Sequence, residues 1–341
     1  MITLGWAIWA VLAQDPPAPT LATDLATLLA QVGPRGYDEQ EPRPWAPEGG
    51  RKMSPTREDT WLYFALAPLR SARNSAWHGW FGTPPIEDAI ALPNGAYHVR
   101  VGLDFATTDW TSNEEGGPSR FRTGHLTESF EYTYAVSGYF LLGLRLTAGE
   151  LASRDQDEPI TLYENGVQLV PGAERGFGPE SVTGRAKVAT SLGAVEVGLL
   201  GELKVPLADG EELLTSRTVD VAVSGLLTKR WSRVALHLNL GVTAPLGNPD
   251  LLIDGDDVSP YAHGGVSAAW MAFASVTLVA QVEFNTSPFA DLSLWDGPSA
   301  TASIGARVKL SKTTALSGSV GTGLTDASSD LVVSAGVDMT F

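Results

Sequence analysis

Long stretches of the chain alternate regularly between apolar and polar residues. Residues 97–106 place Tyr, Val, Leu and Phe at the odd positions and polar or small residues at the even ones. A period of two puts each residue type on its own face of a β-strand. Because the same alternation returns at 195–205, 234–243, 276–285 and 303–310, we predict an all-β fold.

Twelve segments carry this pattern, and each is long enough to cross a bilayer as a tilted strand, which takes about 9–11 residues. The segments are 96–109, 121–135, 139–148, 181–191, 194–206, 217–228, 233–245, 260–270, 274–287, 299–310, 313–324 and 330–341.

The connections between these segments alternate between long and short. Long connections are predicted at 110–120, 149–180, 207–216, 246–259, 288–298 and 325–329. Bacterial transmembrane barrels have long loops at one end and tight periplasmic turns at the other. A soluble sandwich, which composition alone leaves open, has no reason to keep that order. We therefore predict a transmembrane antiparallel up-and-down β-barrel over residues 96–341, located in the outer membrane.

Aromatic residues and charges are distributed unevenly between the two ends of the predicted barrel. The short-turn ends carry Tyr139, Phe140, Trp231, Trp270, Phe273 and Phe341, as expected of an interfacial girdle. Trp110 and Tyr261 would form a sparser girdle at the other end. The long connections hold most of the acids, whereas the short turns hold Lys229, Arg230 and Lys312. The net charge of -16 argues against nucleic acid as a partner.

The region before the barrel is different in composition. Residues 1–13 are apolar and end at Ala13, which resembles a signal peptide, although a buried N-terminal segment is the alternative. Residues 14–95 contain twelve of the 22 prolines and cannot form continuous sheet. We predict that they form a periplasmic or plug segment, with a helix at 24–32 and a short strand at 61–68. The aromatic residues within 77–81 argue against a disordered linker.

The sequence offers little support for catalysis or for a cofactor. It has no cysteine, so disulfides, thiolate metal sites and cysteine nucleophiles are excluded, and no cofactor is expected. No Gly-x-Ser-x-Gly motif is present. His125 lies near Ser129 and Glu131, where a hydrogen-bond network in the lumen is preferred to a catalytic pair. We therefore predict that the protein is not an enzyme.

A weak metal motif and a hairpin occur in the long connections. Asp254, Asp256 and Asp257 partly match the spacing of calcium ligands but lack the terminal Glu of such a loop, so a solvated acidic tip is preferred. Asn165-Gly166 between alternating flanks predicts a hairpin.

The face that should line the lumen carries charges of both signs. Its charged residues are Arg100, Asp104, Glu131, Arg145, Arg185, Lys187, Glu196, Glu202, Lys204, Asp220, Glu283, Arg307, Lys309 and Asp338. Mixed charge fits either a wet channel with a transverse field or salt bridges that fill a closed barrel.

The last segment ends on an aromatic residue. Val337, Met339 and Phe341 lie on its apolar face. An alternating strand that stops at a C-terminal phenylalanine resembles the signal that the barrel assembly machinery reads by strand addition. That machinery is accordingly an expected partner.

Residues 67–246 also resemble a family of uncharacterised proteobacterial outer-membrane barrels, related to barrels associated with phenol-degradation pathways. The resemblance rests on Thr111-Ser112-Asn113, on residues 127–146 and on residues 201–227. The Lys-x-Pro-Thr-Gly element of those families is here Lys204-Val205-Pro206 followed by Leu207-Ala208. The resemblance implies an outer-membrane barrel and passage of hydrophobic or aromatic compounds, and it implies no site residues.

Two functions remain from the sequence. The first is a narrow porin or small-solute transporter, with hydrophobic or aromatic compounds among its solutes. The alternative is a non-conducting structural or surface-interaction barrel whose acidic loops are bridged to lipopolysaccharide by divalent cations. An outer-membrane hydrolase ranks third. Outer-membrane lipid and lipopolysaccharide are the expected surroundings in each case.

Overall fold

The computed structural model describes residues 65–70, 85–90, 92–112, 119–153, 160–164, 167–173, 177–207, 218–246, 259–288 and 297–341. The strands are β1 (Tyr97–Ser112), β2 (Ser119–Ser137), β3 (Phe140–Ser153), β4 (Ile160–Glu164), β5 (Val167–Ala173), β6 (Phe177–Leu192), β7 (Val195–Pro206), β8 (Val219–Arg230), β9 (Val234–Leu246), β10 (Tyr261–Phe273), β11 (Val276–Asn285), β12 (Ser299–Lys309), β13 (Thr314–Gly323) and β14 (Leu331–Thr340).

Twelve of these strands form one closed antiparallel barrel, which confirms the predicted fold and strand number. Each barrel strand pairs with its neighbours along the chain, except that β3 pairs with β6. The two remaining strands, β4 and β5, pair as the predicted hairpin within the β3–β6 connection. The barrel closes where β14 pairs with β1, with Val337 opposite Val101.

The strands alternate between an apolar outer face and a polar inner face. On the outside, Leu240 is 54% exposed and Ile304 is 64% exposed. On the inside, Asp104, Arg145 and His237 are buried. A soluble protein buries its apolar residues, so an apolar exterior around a polar interior identifies the outer wall as a lipid-facing surface.

The two ends of the barrel differ as the connection lengths predict. Short turns at 138–139, 193–194, 231–233, 274–275 and 310–313 lie at the same end as Tyr97 and Phe341. Exposed aromatic side chains collect at this end, namely Tyr97, Tyr139, Trp231, Trp270, Phe273 and Phe341.

The predicted girdle at the long-loop end is wrong at Tyr261. This side chain is only 2% exposed, because it shares the inward register of His263. An aromatic residue at a strand end can face either side of the wall, and the register decides which. The Trp110 side chain lies outside the described part of the chain.

The described part of the N-terminal region differs from its prediction. Ala65 is helical and residues 66–70 are turn or irregular, so the short strand predicted at 61–68 is wrong over its described residues. Pro68 interrupts the stretch, and its irregular backbone is paired with side chains of the barrel wall rather than with a strand. Residues 1–13, 24–32 and 77–81, with their predicted signal peptide, helix and aromatic cluster, lie outside the described residues.

No helix among the described residues is long and apolar enough to cross a bilayer.

Candidate functional site

Two short parts of the N-terminal region, residues 65–70 and 85–90, lie against the inner face of the barrel. We call them together the lumen segment. Leu66 and Leu69 pack on the inward-facing Ala235, Ala269 and Val279. Ala89 packs on the inward-facing Leu200 and Leu226. The lumen segment is therefore inside the barrel, in contact with more than one side of the wall.

Wall side chains pair with the backbone of the lumen segment. Three backbone N–H groups donate to wall side chains, namely Leu69 to Gln281 at 3.2 Å, Ile86 to Glu283 at 3.1 Å and Ala89 to Thr228 at 2.9 Å. Three carbonyls are contacted in the same way, namely Leu66 by His237 Nε2 at 2.7 Å, Ala67 by Arg307 at 2.9 Å and Pro68 by Arg307 at 3.1 Å. Irregular backbone at membrane depth requires such partners, because no sheet neighbour satisfies it.

Two glycines allow the lumen segment to approach the wall closely. A Cβ at Gly265 would lie 2.6 Å from Ile86 Cδ1, and a Cβ at Gly305 would lie 2.6 Å from Leu69 Cδ1. Both distances are shorter than van der Waals contact. The wall is therefore shaped for these two apolar side chains.

Glu87 is the centre of an ion-pair network that joins the lumen segment to the wall. Its carboxylate lies 2.9 Å from Arg70, 2.5 Å from Arg185 and 3.6 Å from Lys187. Three cationic side chains therefore surround one buried carboxylate, which is the pairing that a buried negative charge requires.

The peptide groups of Glu87 are held as well. With its amide oriented to satisfy both groups, Asn239 accepts from the Glu87 N–H at 2.6 Å and donates to the Glu87 carbonyl at 2.9 Å. The neighbouring Asp88 pairs with Lys187 at 3.2 Å. The Glu87 side chain is thus held by β6, and the Glu87 backbone is held by β9.

The same cations reach two carboxylates of the wall. Glu131 lies 2.7 Å from Arg70, 3.8 Å from Arg145 and 3.6 Å from Arg185. Glu202 is paired with Arg185 and lies 3.6 Å from Arg145. Cations and carboxylates thus alternate, so each charge of this network has an opposite charge beside it.

A second cluster surrounds Asp338 on β14. Its carboxylate lies 3.1 Å from Arg100, 3.2 Å from His98 and 4.0 Å from Arg307. Arg100 also donates to the Arg70 carbonyl at 2.8 Å, which links this cluster to the lumen segment.

The structure places the fourteen predicted lumen residues as follows. Twelve are buried on the inward register, namely Arg100, Asp104, Glu131, Arg145, Arg185, Lys187, Glu202, Lys204, Asp220, Glu283, Arg307 and Asp338. Glu196 and Lys309 are half-buried, and Glu196 is paired with Arg230. Lys204 pairs with Asp220 at 3.3 Å, apart from the Glu87 network. Their role in solute passage stays a prediction.

Sequence reasoning missed Arg70, Glu87 and Asp88. They lie outside the alternating segments, in a proline-rich region where no period assigns a face. The available signal was the pair of acids at 87–88, flanked by the apolar Ile86 and Ala89.

Four histidines lie on the inner face and are hydrogen-bonded to polar groups. His125 Nε2 lies 3.0 Å from Glu180, and His263 lies 2.8 Å from Ser224 and 3.2 Å from Thr243. Among the residues that the structure describes, no three His, Asp or Glu side chains are grouped closely enough to hold a metal ion. Asp254, Asp256 and Asp257 lie outside that part of the chain.

Between the lumen segment and the wall is a cavity of about 50 Å³. Arg70, Glu87 and Ile90 line it on the segment side, and Leu141, Arg185 and Asp338 line it on the wall side. This volume holds a few water molecules.

A closed antiparallel barrel with an apolar outer wall, a polar lumen and aromatic residues at its short-turn end is a transmembrane β-barrel. The protein is an outer-membrane β-barrel.

Solved structures with a similar fold are outer-membrane barrels. The crystal structure of an outer membrane channel from Pseudomonas putida F1 matches with a TM-score of 0.56 and 15% identity, over 74% of this chain and 98% of that one. The NanC porin matches with a TM-score of 0.46 and 7% identity, over 71% and 98% of the two chains. The CymD monoaromatic hydrocarbon channel matches with a TM-score of 0.41 and 13% identity, over 73% and 89%.

These neighbours are described as channels and a porin. No family model matches the sequence, and no curated protein matches it.

Proposed function

We propose that the protein is a narrow outer-membrane channel for small solutes, whose lumen is closed by the lumen segment. The observation that carries this proposal is the nature of the contact between segment and wall. Hydrogen bonds and ion pairs make up much of that contact, and water can replace them when the segment moves. A twelve-stranded barrel also lies between the eight-stranded barrels that side chains fill and the porins of about 16–18 strands that hold an aqueous channel.

Small polar solutes are the class that the lumen supports best. The inner faces of β10, β11 and β12 carry hydroxyl and amide groups, including Ser267, Gln281, Thr301 and Ser303. Such groups replace the hydration of a polar solute during passage. Hydrophobic or aromatic compounds, which the family resemblance implies, are the second solute class of the proposal.

A non-conducting structural barrel is the second candidate function. It is favoured by the density of the Glu87 network and by the small cavity beside it. In that case the lumen segment would be a permanent part of the core.

A disulfide that fixes the lumen segment separates the two candidates. Ala65 of the segment packs against Ala315 of β13, and both are buried. The chain has no cysteine of its own, so Ala65→Cys with Ala315→Cys introduces one defined pair. In planar bilayers we expect the reduced double variant to show conductance steps and the oxidised form to lose them. The single variant Ala315→Cys is the control and should conduct under both conditions.

Absence of conductance in the wild type and in both redox states would support the non-conducting barrel and overturn the channel. Equal conductance in both redox states would show that the lumen segment does not close the path. Swelling of proteoliposomes in small sugars, compared with uptake of a labelled monoaromatic compound, then distinguishes the two solute classes.

A further inference from the structure

Exposed or half-buried bases and exposed aromatic residues collect on one part of the short-turn end. They lie on three consecutive turns, between β8 and β9, between β10 and β11, and between β12 and β13. We call this set the basic–aromatic arc, which comprises Lys229, Trp231, Arg233, Trp270, Phe273 and Lys312. Phe273 is 70% exposed, the most of any large apolar side chain described.

The other side of the same rim has a different composition. The turns at 138–139 and 193–194 contain no base, and their surroundings expose Tyr139 and Leu192. None of the five short turns contains an acid. Glu196, an acid near this end, is on the inward register and is paired with Arg230. Among the five short turns, those of the arc therefore carry bases without acids, and the two turns opposite carry neither.

The arc is oriented towards lipid as well as towards water. Lys229 continues the outward register of Leu227, and its Nζ lies 5.4 Å from the centre of the Trp231 ring. Trp270 also faces outward, beside the Trp231 turn. A Trp ring sits at the boundary between acyl chains and headgroups, and a neighbouring lysine extends its ammonium to the phosphate layer.

The chemistry of this layer identifies the occupant. Short turns of bacterial barrels face the periplasm, so the headgroups beside the arc belong to the inner leaflet. Basic residues next to a membrane attract anionic headgroups over neutral ones. We propose that the basic–aromatic arc binds the phosphate headgroups of anionic phospholipid, of the phosphatidylglycerol type, in the periplasmic leaflet. This site is independent of solute passage through the lumen.

Retention of lipid by the purified full-length protein tests the site. The protein is exchanged into detergent with equal amounts of phosphatidylglycerol and phosphatidylcholine of identical chains, and retained lipid is counted by native mass spectrometry. The wild type should retain phosphatidylglycerol over phosphatidylcholine several-fold. The triple variant Lys229→Gln, Arg233→Gln and Lys312→Gln should lower that ratio towards one.

A matched control places glutamines on the opposite turn. Ser191→Gln with Ala194→Gln changes an exposed turn without removing charge and should leave the ratio unchanged. Heat-modifiable migration on gels verifies that each variant is folded. An unchanged ratio in the folded triple variant would overturn the proposal. Displacement of phosphatidylglycerol by an equal concentration of inorganic phosphate would also overturn the proposal, because the site would then recognise the phosphate anion and not the lipid.

Discussion

At the scale of single residues, Glu87 joins the lumen segment to two strands of the wall. It contacts Arg185 and Lys187 of the wall through its carboxylate and Asn239 through its backbone. Removing one partner of a buried ion pair costs about 3–5 kcal/mol where the other charge is left alone, and less here because Arg70, Arg185 and Lys187 keep Glu131, Glu202 and Asp88 as partners. The twelve-stranded ladder does not depend on this contact, so the cost should weaken docking of the segment and leave the barrel intact.

We predict that Glu87→Gln releases the lumen segment. The measurement is the rate at which a maleimide labels Ala65→Cys, a buried position of the segment, in refolded protein. Labelling should be at least several-fold faster with Glu87→Gln than without it. Glu150→Gln, which removes an exposed carboxylate from β3, is the control and should leave the rate unchanged. Equally slow labelling in all three backgrounds would show that Glu87 does not hold the segment.

Single residues of the wall could be predicted from the sequence, and those of the lumen segment could not. Alternation assigns Arg185 and Glu202 to the inner face, because every residue of a barrel strand faces either the lumen or the lipid. Glu87, the partner of Arg185 on the lumen segment, lies about 100 positions away from it, in a stretch with no period. Its position depends on tertiary contacts, which local pattern does not encode. Tyr261 shows a different error. As an aromatic residue at a strand end it is predicted to face outward, but its position in the strand register places its side chain inside the barrel.

At the scale of elements, the strands follow prediction through the membrane and depart from it beyond. The predicted segment 121–135 is observed as Ser119–Ser137, and 139–148 as Phe140–Ser153. Above the membrane both faces of a hairpin meet water, so alternation fades while the backbone ladder continues. The sequence therefore predicts the membrane-crossing part of each strand better than its outer end.

The last strand depends on both of its edges. β14 pairs with β13 and β1, and Phe341, the residue after β14, exchanges two backbone hydrogen bonds with Tyr97, at 3.0 and 3.1 Å. The two rings stack with centroids 5.2 Å apart. Phe341 thus has a structural contact in the finished barrel, beside the predicted role of Val337, Met339 and Phe341 in assembly.

We predict that deletion of Phe341 prevents assembly. The truncated chain should accumulate in the periplasm, remain protease-sensitive and lose heat-modifiable migration. Tyr97→Ala removes the same ring contact and leaves the C-terminal residues unchanged, so it should still reach the outer membrane. If Tyr97→Ala fails to assemble to the same degree, the defect comes from barrel closure rather than from loss of the C-terminal signal. Normal outer-membrane levels of the truncated chain would show that the signal is internal.

At the scale of the whole molecule, three asymmetries coincide. Long connections lie at one end and short turns at the other, aromatic residues collect at the short-turn end, and acids are concentrated in the long connections. Together with the apolar outer wall, they indicate a barrel that spans the membrane, and we predict that its short turns face the periplasm. The channel proposal and the lipid proposal both rest on this frame.

Labelling of single cysteines in intact cells tests that frame most directly. Ser259, at the long-loop end, and Ser232, in a short turn, are both exposed, and the chain has no cysteine of its own. With a membrane-impermeant maleimide, Ser259→Cys should be labelled in intact cells, and Ser232→Cys only after the outer membrane is permeabilised. Labelling of Ser232→Cys but not Ser259→Cys in intact cells would contradict this orientation. Absence of both variants from the outer-membrane fraction would contradict the membrane-spanning barrel itself.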